Sequence, residues 1–172
     1  MKWFYLIILI FLLSACTALN QNSQTGVLPV TDIKSFDGIF KNSTDTQHVY
    51  TSLWNQLNLS NNNTLTKTGS VVMLKGITDR SIKATLVLND VEQASIILKG
   101  KLKNHYFVSK HQRTMIPIPL LYGKFKNQQF QLAIKDDHTL SVDRLNNQWG
   151  WVFLFLASNN QTDHNEYKQI KK

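Results

Sequence analysis

The sequence predicts a mainly β fold: an antiparallel meander forming a small barrel or a strongly curved sheet, with one short helix. Three observations point there. Apolar and polar residues alternate through residues 82–89, with Ile82, Ala84, Leu86 and Leu88 on one side and Lys83, Thr85 and Asn89 on the other. That period of two belongs to a half-buried strand. Polar turn-formers (Asn89-Asp90, Lys103-Asn104, Lys126-Asn127, Asp136-Asp137-His138) divide the chain into short β-branched and aromatic runs, the spacing of successive hairpins. Finally, 172 residues with 42% hydrophobic and 17% charged content suffice for one domain with its own core.

Taken in order, residues 36–41 make a first strand. Residues 49–59 (VYTSLWNQLNL) make the helix, because Val49 or Tyr50, Leu53, Trp54 and Leu57 recur at steps of three and four, with Thr46 placed as its N-cap. Strands follow over residues 82–89, 92–102 and 105–110. Residues 121–125 and 129–135 then flank the Lys126-Asn127 turn, with Phe130, Leu132 and Ile134 on one face, before a strand over 139–145. Seven or eight strands after the helix can close on themselves, which removes exposed edges.

The two ends read differently. Lys2 precedes an apolar run of 11 residues, WFYLIILIFLL, too short to span a bilayer as a helix but suited to the hydrophobic region of a signal peptide. Leu13, Ser14, Ala15 and Cys16 follow, a sequence that resembles the lipobox of bacterial lipoproteins. The resemblance implies that residues 1–15 are a signal peptide cleaved before Cys16. It also implies that Cys16 carries covalent diacylglycerol and an N-acyl chain, with no other cofactor. The membrane is then a partner through this anchor, which two or three acyl chains make stable. Thr17 is not the aspartate that commonly retains such proteins at the inner membrane; in a Gram-negative cell this favours the outer membrane. Residues 16–34 are polar, contain Gly26 and Pro29 and lack periodicity, so they read as the lipidated cysteine and a flexible tether. Residues 35–157 form the β-rich domain, and residues 158–172 (SNNQTDHNEYKQIKK) read as a polar tail that frays.

Charge and cysteine count narrow the function classes. The chain has one cysteine, so after lipidation its body holds no disulfide, thiol nucleophile or zinc–cysteine site. Net charge is +8, or +7 once Lys2 is removed. The lysines are dispersed rather than gathered on one face, which argues against a nucleic-acid partner and suits strand edges kept from aggregating. Neither HExxH, GxSxG, SxxK nor a phosphate-binding glycine loop occurs, and the adjacent Asp136-Asp137 lies in a turn rather than across a cleft. No catalytic or metal-ligating residue is assigned.

Three stretches stand out. Phe36-Asp37-Gly38-Ile39-Phe40 resembles the opening strand of lipocalin-like barrels, in which a glycine permits a bend and an aromatic plugs the closed end; it is equally a glycine bulge. In Met115-Ile116-Pro117-Ile118-Pro119, Pro117 and Pro119 remove two amide donors from one side of an extended segment, which makes it an edge strand or a polyproline-like crossover. Residues 146–157 (NNQWGWVFLFLA) are the most hydrophobic part of the body. They read either as a central strand buried on both faces or as a surface that turns Trp149, Trp151, Phe153 or Phe155 outward. Trp149 and Trp151, two apart, share a side of any strand.

Together, DGIF, KLKNHYF, MIPIP and NQWGW make the body similar to uncharacterised small envelope lipoproteins of Gram-negative bacteria, a resemblance that implies no activity. The sequence therefore favours a membrane-anchored, non-enzymatic envelope module for binding or structure. Pro117, Pro119, Trp149 and Trp151 are its candidate surface toward an envelope protein partner. The alternative is a lipocalin-like carrier of a small apolar ligand. A hydrolase would need His105, His111 and Asp143 convergent in one cleft.

Overall fold

The computed structural model describes residues 26–43, 52–59, 69–118, 121–135, 138–153 and 155–171. A 3-10 helix, Ile33–Phe36, precedes β1 (Gly38–Lys41), and one short helix, α1 (Leu53–Leu57), follows it. The remaining strands are β2 (Val71–Thr78), β3 (Ser81–Leu88), β4 (Val91–Lys103), β5 (Tyr106–Ser109), β6 (Gln112–Ile118), β7 (Tyr122–Ile134), β8 (Thr139–Val152) and β9 (Phe155–Lys171). They form one antiparallel sheet in the order β5-β4-β3-β2-β1-β9-β8-β7-β6, closed by a further pairing of β5 with β7.

The closure follows from how β5 and β6 share β7. Phe107 faces Leu132 and Gln112 faces Gln128, so the β5–β6 side advances five residues while β7 advances four. The two strands are thus one rung with a one-residue bulge at Lys110–His111. Counted that way, the molecule is an eight-stranded antiparallel barrel, as the alternation of the sequence predicts. Its last seam joins β9 to β1 through Ile39–Lys171 and Phe40–Gln169.

Inward-facing positions fill the barrel with side chains. Val72 and Leu74, Ile82, Ala84 and Leu86, Leu98, Phe107, Phe130 and Leu132, Leu140 and Val142, and Tyr167 are all buried in one cluster. The two helical segments, at opposite ends of β1, add Ile33 and Phe36, then Leu53, Trp54 and Leu57. Phe40 is fully buried, as the lipocalin-like opening implies. Gly38 has a different reason from a bend: a Cβ there would lie 2.4 Å from the Gln169 side chain of β9. The glycine lets the closing strands approach.

Several expectations are corrected. The C-terminal stretch does not fray: residues 155–171 form β9, which pairs with β8 along its length, and Tyr167 is wholly buried. Its polar composition misled because only one face at its far end is covered. The tether reading ends early as well, since Leu28 donates to the Ile134 carbonyl at 2.8 Å and Val30 and Ile33 join the core. Lys126-Asn127 is not a turn but lies mid-strand in β7, where Asn127 is held between Arg113 and Asn147. Helix α1 is capped by Ser52, whose Oγ accepts from the Asn55 amide at 3.3 Å. Leu13, Ser14, Ala15, Cys16, the proposed cap Thr46 and Pro119 lie outside the described residues.

Two consequences can be measured. Tyr167→Ala empties the centre of the closing strand and should cost about 3–5 kcal/mol in urea unfolding, as for other buried aromatics; a stop codon after Thr162 should abolish cooperative unfolding. Burial, the largest influence, raises the Tyr167 pKa above its ordinary value of 10.0, with Asp163 acting in the same direction and Arg144 against it. The folded state therefore favours the neutral phenol. Stability from this group is complete below about pH 10 and declines as pH rises beyond it. Tyr167→Phe should flatten that alkaline decline in unfolding free energy.

Candidate functional site

Beyond the rungs that close the barrel, four strands continue as an arm. Among the described residues, 112–118, 122–128, 146–152 and 155–161 pair only with one another, in the order β6-β7-β8-β9. Directly opposed residues in an antiparallel sheet share a face, so the register sorts the arm into rows. Nearest the tip, Ile118, Tyr122, Val152 and Phe155 form one row, followed by Pro117, Gly123, Trp151 and Leu156 on the opposite face. The next rows are Ile116, Lys124, Gly150 and Ala157, then Met115, Phe125, Trp149 and Ser158. Nearer the barrel the rows become polar: Thr114, Lys126, Gln148 and Asn159, then Arg113, Asn127, Asn147 and Asn160.

One face of the arm carries an aromatic stack. Phe125 and Trp149 lie with ring centroids 5.3 Å apart, and Trp149 and Trp151 at 5.7 Å. The Trp151 indole lies across Gly123, where a Cβ would come within 2.0 Å of the ring; the glycine is what lets the ring lie on the sheet. The other face continues the barrel interior and carries cations. Lys124, Lys126 and Arg144 line it, and burial, then Arg144 and Lys124, lower the Lys126 pKa. Arg144 is fixed at the base, donating through Nη1 to the Asn55 carbonyl of α1 at 2.8 Å. Residues 112–128 and 146–162 contain Arg113, Lys124 and Lys126 and no carboxylate.

The tip is apolar and open. Phe155 and Leu156 are 81% and 80% exposed and Phe153 63%, although Leu156 and Phe155 belong to opposite faces. The hairpin joining Val152 to Phe155 has Phe153 at φ 53°, its amide donating to the Leu121 carbonyl of the neighbouring turn at 2.9 Å. A bulky side chain in that left-handed region is strained, and hairpin loops ordinarily place Asn, Asp or Gly there. Two other hairpins of this chain use polar residues there: Asn89-Asp90 and Asn104-His105 take φ of 50°, 62°, 49° and 69°.

These positions test the expected surface. Pro117 lies on β6, an edge strand, and shares a row with Trp151, with Trp149 two rows behind. The reading of residues 146–157 as one strand buried on both faces is overturned; they are two strands meeting at an exposed turn, and the doubly buried stretches are residues 127–134 of β7 and 139–143 of β8. Phe155 and Leu156 exceed Trp54, Trp149 and Trp151 in exposure. The sequence concealed this because Phe153-Leu154 contains no turn-forming residue. The cationic stripe escaped notice because Lys124 and Lys126 lie far from Arg144 in sequence.

The residues considered for hydrolysis do not converge. His105 Nδ1 is 3.3 Å from the Val30 carbonyl, His111 Nδ1 is 3.1 Å from Asn127 Oδ1, and Asp143 instead meets His164 Nδ1 at 2.5 Å. His164 Nε2 faces Glu166 at 3.2 Å, and Glu166 accepts from Lys135. Carboxylates thus face both imidazole nitrogens of His164. Lys135 donating to Glu166 is the main cause of that carboxyl's lowered pKa. A separate cleft of about 390 Å³ opens where β4 and β6 diverge, lined by Leu57, Leu59, Leu98 and Phe130 within and by Lys99 and Lys110 at its rim.

Phe153→Asn should relieve the strained turn and raise stability by about 1 kcal/mol in urea unfolding, the reverse of what loss of a structural phenylalanine would do. No protein-family model matches the chain, and neither a curated protein nor a solved structure is similar enough to count as a match.

Proposed function

We propose that this protein is a lipid-anchored, non-enzymatic contact module of the bacterial envelope, held by acylated Cys16 and touching its partner through the tip of the β arm. The single observation that carries the contact surface is the solvent-exposed apolar hairpin of Phe153, Phe155 and Leu156, placed on a turn that its phenylalanine strains. Patches of this kind on a monomer mark interaction sites. Support for the anchor is the lipobox alone, together with the absence of any other cysteine in the sequence.

A second reading, a carrier of a small apolar ligand, draws on the barrel fold and on the cleft between β4 and β6. The cleft volume of about 390 Å³ lies within the range of small-molecule sites. The cavity it would need at the barrel centre is instead occupied by Phe40, Trp54, Phe107, Phe130 and Tyr167, so a ligand would sit beside the core and not within it. Native mass spectrometry on protein from cells reads this directly, by retained mass.

The contact reading is tested by hydroxyl-radical footprinting in intact cells and on the isolated protein. Phe153, Phe155 and Leu156 should be protected several-fold in cells, while the Asn89-Asp90 hairpin is modified equally in both. Equal modification of the tip in both samples removes the reading. Cys16→Ser should leave the chain unlipidated and release most of it from the membrane fraction; a variant that partitions as fully as the parent would refute the anchor.

A further inference from the structure

We infer that the partner of the arm is a lipid bilayer: the arm stands end-on to the membrane and inserts its tip among the acyl chains, with its cations at the level of anionic headgroups. This rests on the contact reading above and names what is contacted. The argument comes from the order of the rows. A surface that docks a folded protein is apolar on one face, but the two rows nearest this tip are apolar on both, since Phe155 and Leu156 point opposite ways. Burying both faces at once requires a medium that surrounds the hairpin.

Behind the tip, the chemistry follows the depth profile of one leaflet. Tyr122 and Trp151 lie within the two rows nearest the tip and Trp149 two rows behind Trp151, aromatic residues that favour the boundary between headgroups and hydrocarbon. On the cationic face Lys124 stands in the third row, one row nearer the tip than Trp149, and Lys126 in the fifth, where the rows of Asn and Gln suited to water begin. The two apolar and aromatic rows ahead of the first cation, at about 3.3 Å each, give a length of about 7 Å. That lies within the depth reached by interfacial elements, about 5–10 Å, and leaves Lys124 and Lys126 at headgroup level. The arm lacks any carboxylate that would be repelled by anionic lipid, and its Lys124, Lys126 and Arg113 attract one. The strained Phe153 fits the same picture, since the side chain that best relaxes such a turn, asparagine, is one that hydrocarbon rejects.

The test uses the protein processed from the full precursor in a bacterium and reconstituted into vesicles of phosphatidylcholine and phosphatidylglycerol. Acyl chains brominated near the glycerol quench tryptophans within reach. Trp149 and Trp151 report the arm, while Trp54 is buried in the core and shielded. Strong quenching is expected with the anionic mixture, and several-fold less with phosphatidylcholine alone or in the Lys124→Glu/Lys126→Glu variant. Phe153→Asn/Phe155→Asn should lose the quenching while keeping the parent circular dichroism and an equal or higher Tm, so that misfolding is not the cause. Absence of quenching in vesicles that retain the protein overturns bilayer insertion. If a photocrosslinker at Phe155 then captures one specific protein in cells, the contact reading stands and only its lipid assignment falls. If it captures neither lipid nor protein, both fall.

Discussion

The fold depends on the seam between its first and last strands. A barrel of eight rungs is stable as a barrel only if the ends meet, because an open sheet of this size leaves two unpaired edges. Here the meeting is narrow: β1 has four residues and contacts β9 at Phe40–Gln169 and Ile39–Lys171. The backbone bonds of so short a seam cannot hold it alone. Tyr167 and Phe40, both wholly buried beside it, add the apolar burial, and Gly38 supplies the close approach. The 3-10 helix before β1 contributes through Phe36, which meets Phe107 of β5 edge-on at 6.3 Å across the interior.

Closure explains the arm as well. With strands of unequal length, the rungs that exceed the barrel's circumference have nothing to pair with except one another. Strands β7, β8 and β9 run 13, 14 and 17 residues, while β1 and β5 run four each. The surplus must leave the barrel on one side. A four-stranded sheet with little core beneath it is marginal in water, so its rigidity has to come from its own faces. The aromatic stack from Phe125 through Trp149 to Trp151 does this on one side, with Gly123 and Gly150 kept small where strands and rings approach most closely.

The barrel was legible in the sequence wherever one face was wet and the other dry. Residues 82–88 of β3 alternate for that reason, with Ile82, Ala84 and Leu86 buried and Lys83 and Val87 partly exposed, although Thr85 is covered. The Asn89-Asp90 and Asn104 turns announce themselves by residue type. Legibility failed where that contrast vanished. In β7, residues 127–134 are buried on both faces; the alternation of 129–135 was legible, but Asn127, a buried polar residue mid-strand, passed for a turn. The Gln129 Nε2 donates to the Ser109 carbonyl and the Gln131 Nε2 to Asp143, partners that no local pattern reveals. In β9 the opposite held: a long polar run is a strand because β8 pairs with it, not because its own residues favour it. The aromatic character of Trp149 and Trp151 could be read directly, but the hairpin between them and Phe155 could not.

That hairpin is where local preference and final structure disagree most, and such disagreements tend to fall at functional sites. Elsewhere among the described residues the left-handed positions are taken by Asn, Asp, His and Gly, so Phe153 is the one bulky apolar residue placed there. Packing does not explain it either, since Phe153 stays largely exposed and its ring covers no core. Nor does edge protection, which calls for charge or proline rather than an aromatic. The remaining role for a phenylalanine at such a position is to meet something apolar outside the molecule. Its neighbours Phe155 and Leu156, exposed on opposite faces of the same turn, define the shape of what it meets: a medium that closes around the hairpin from both sides.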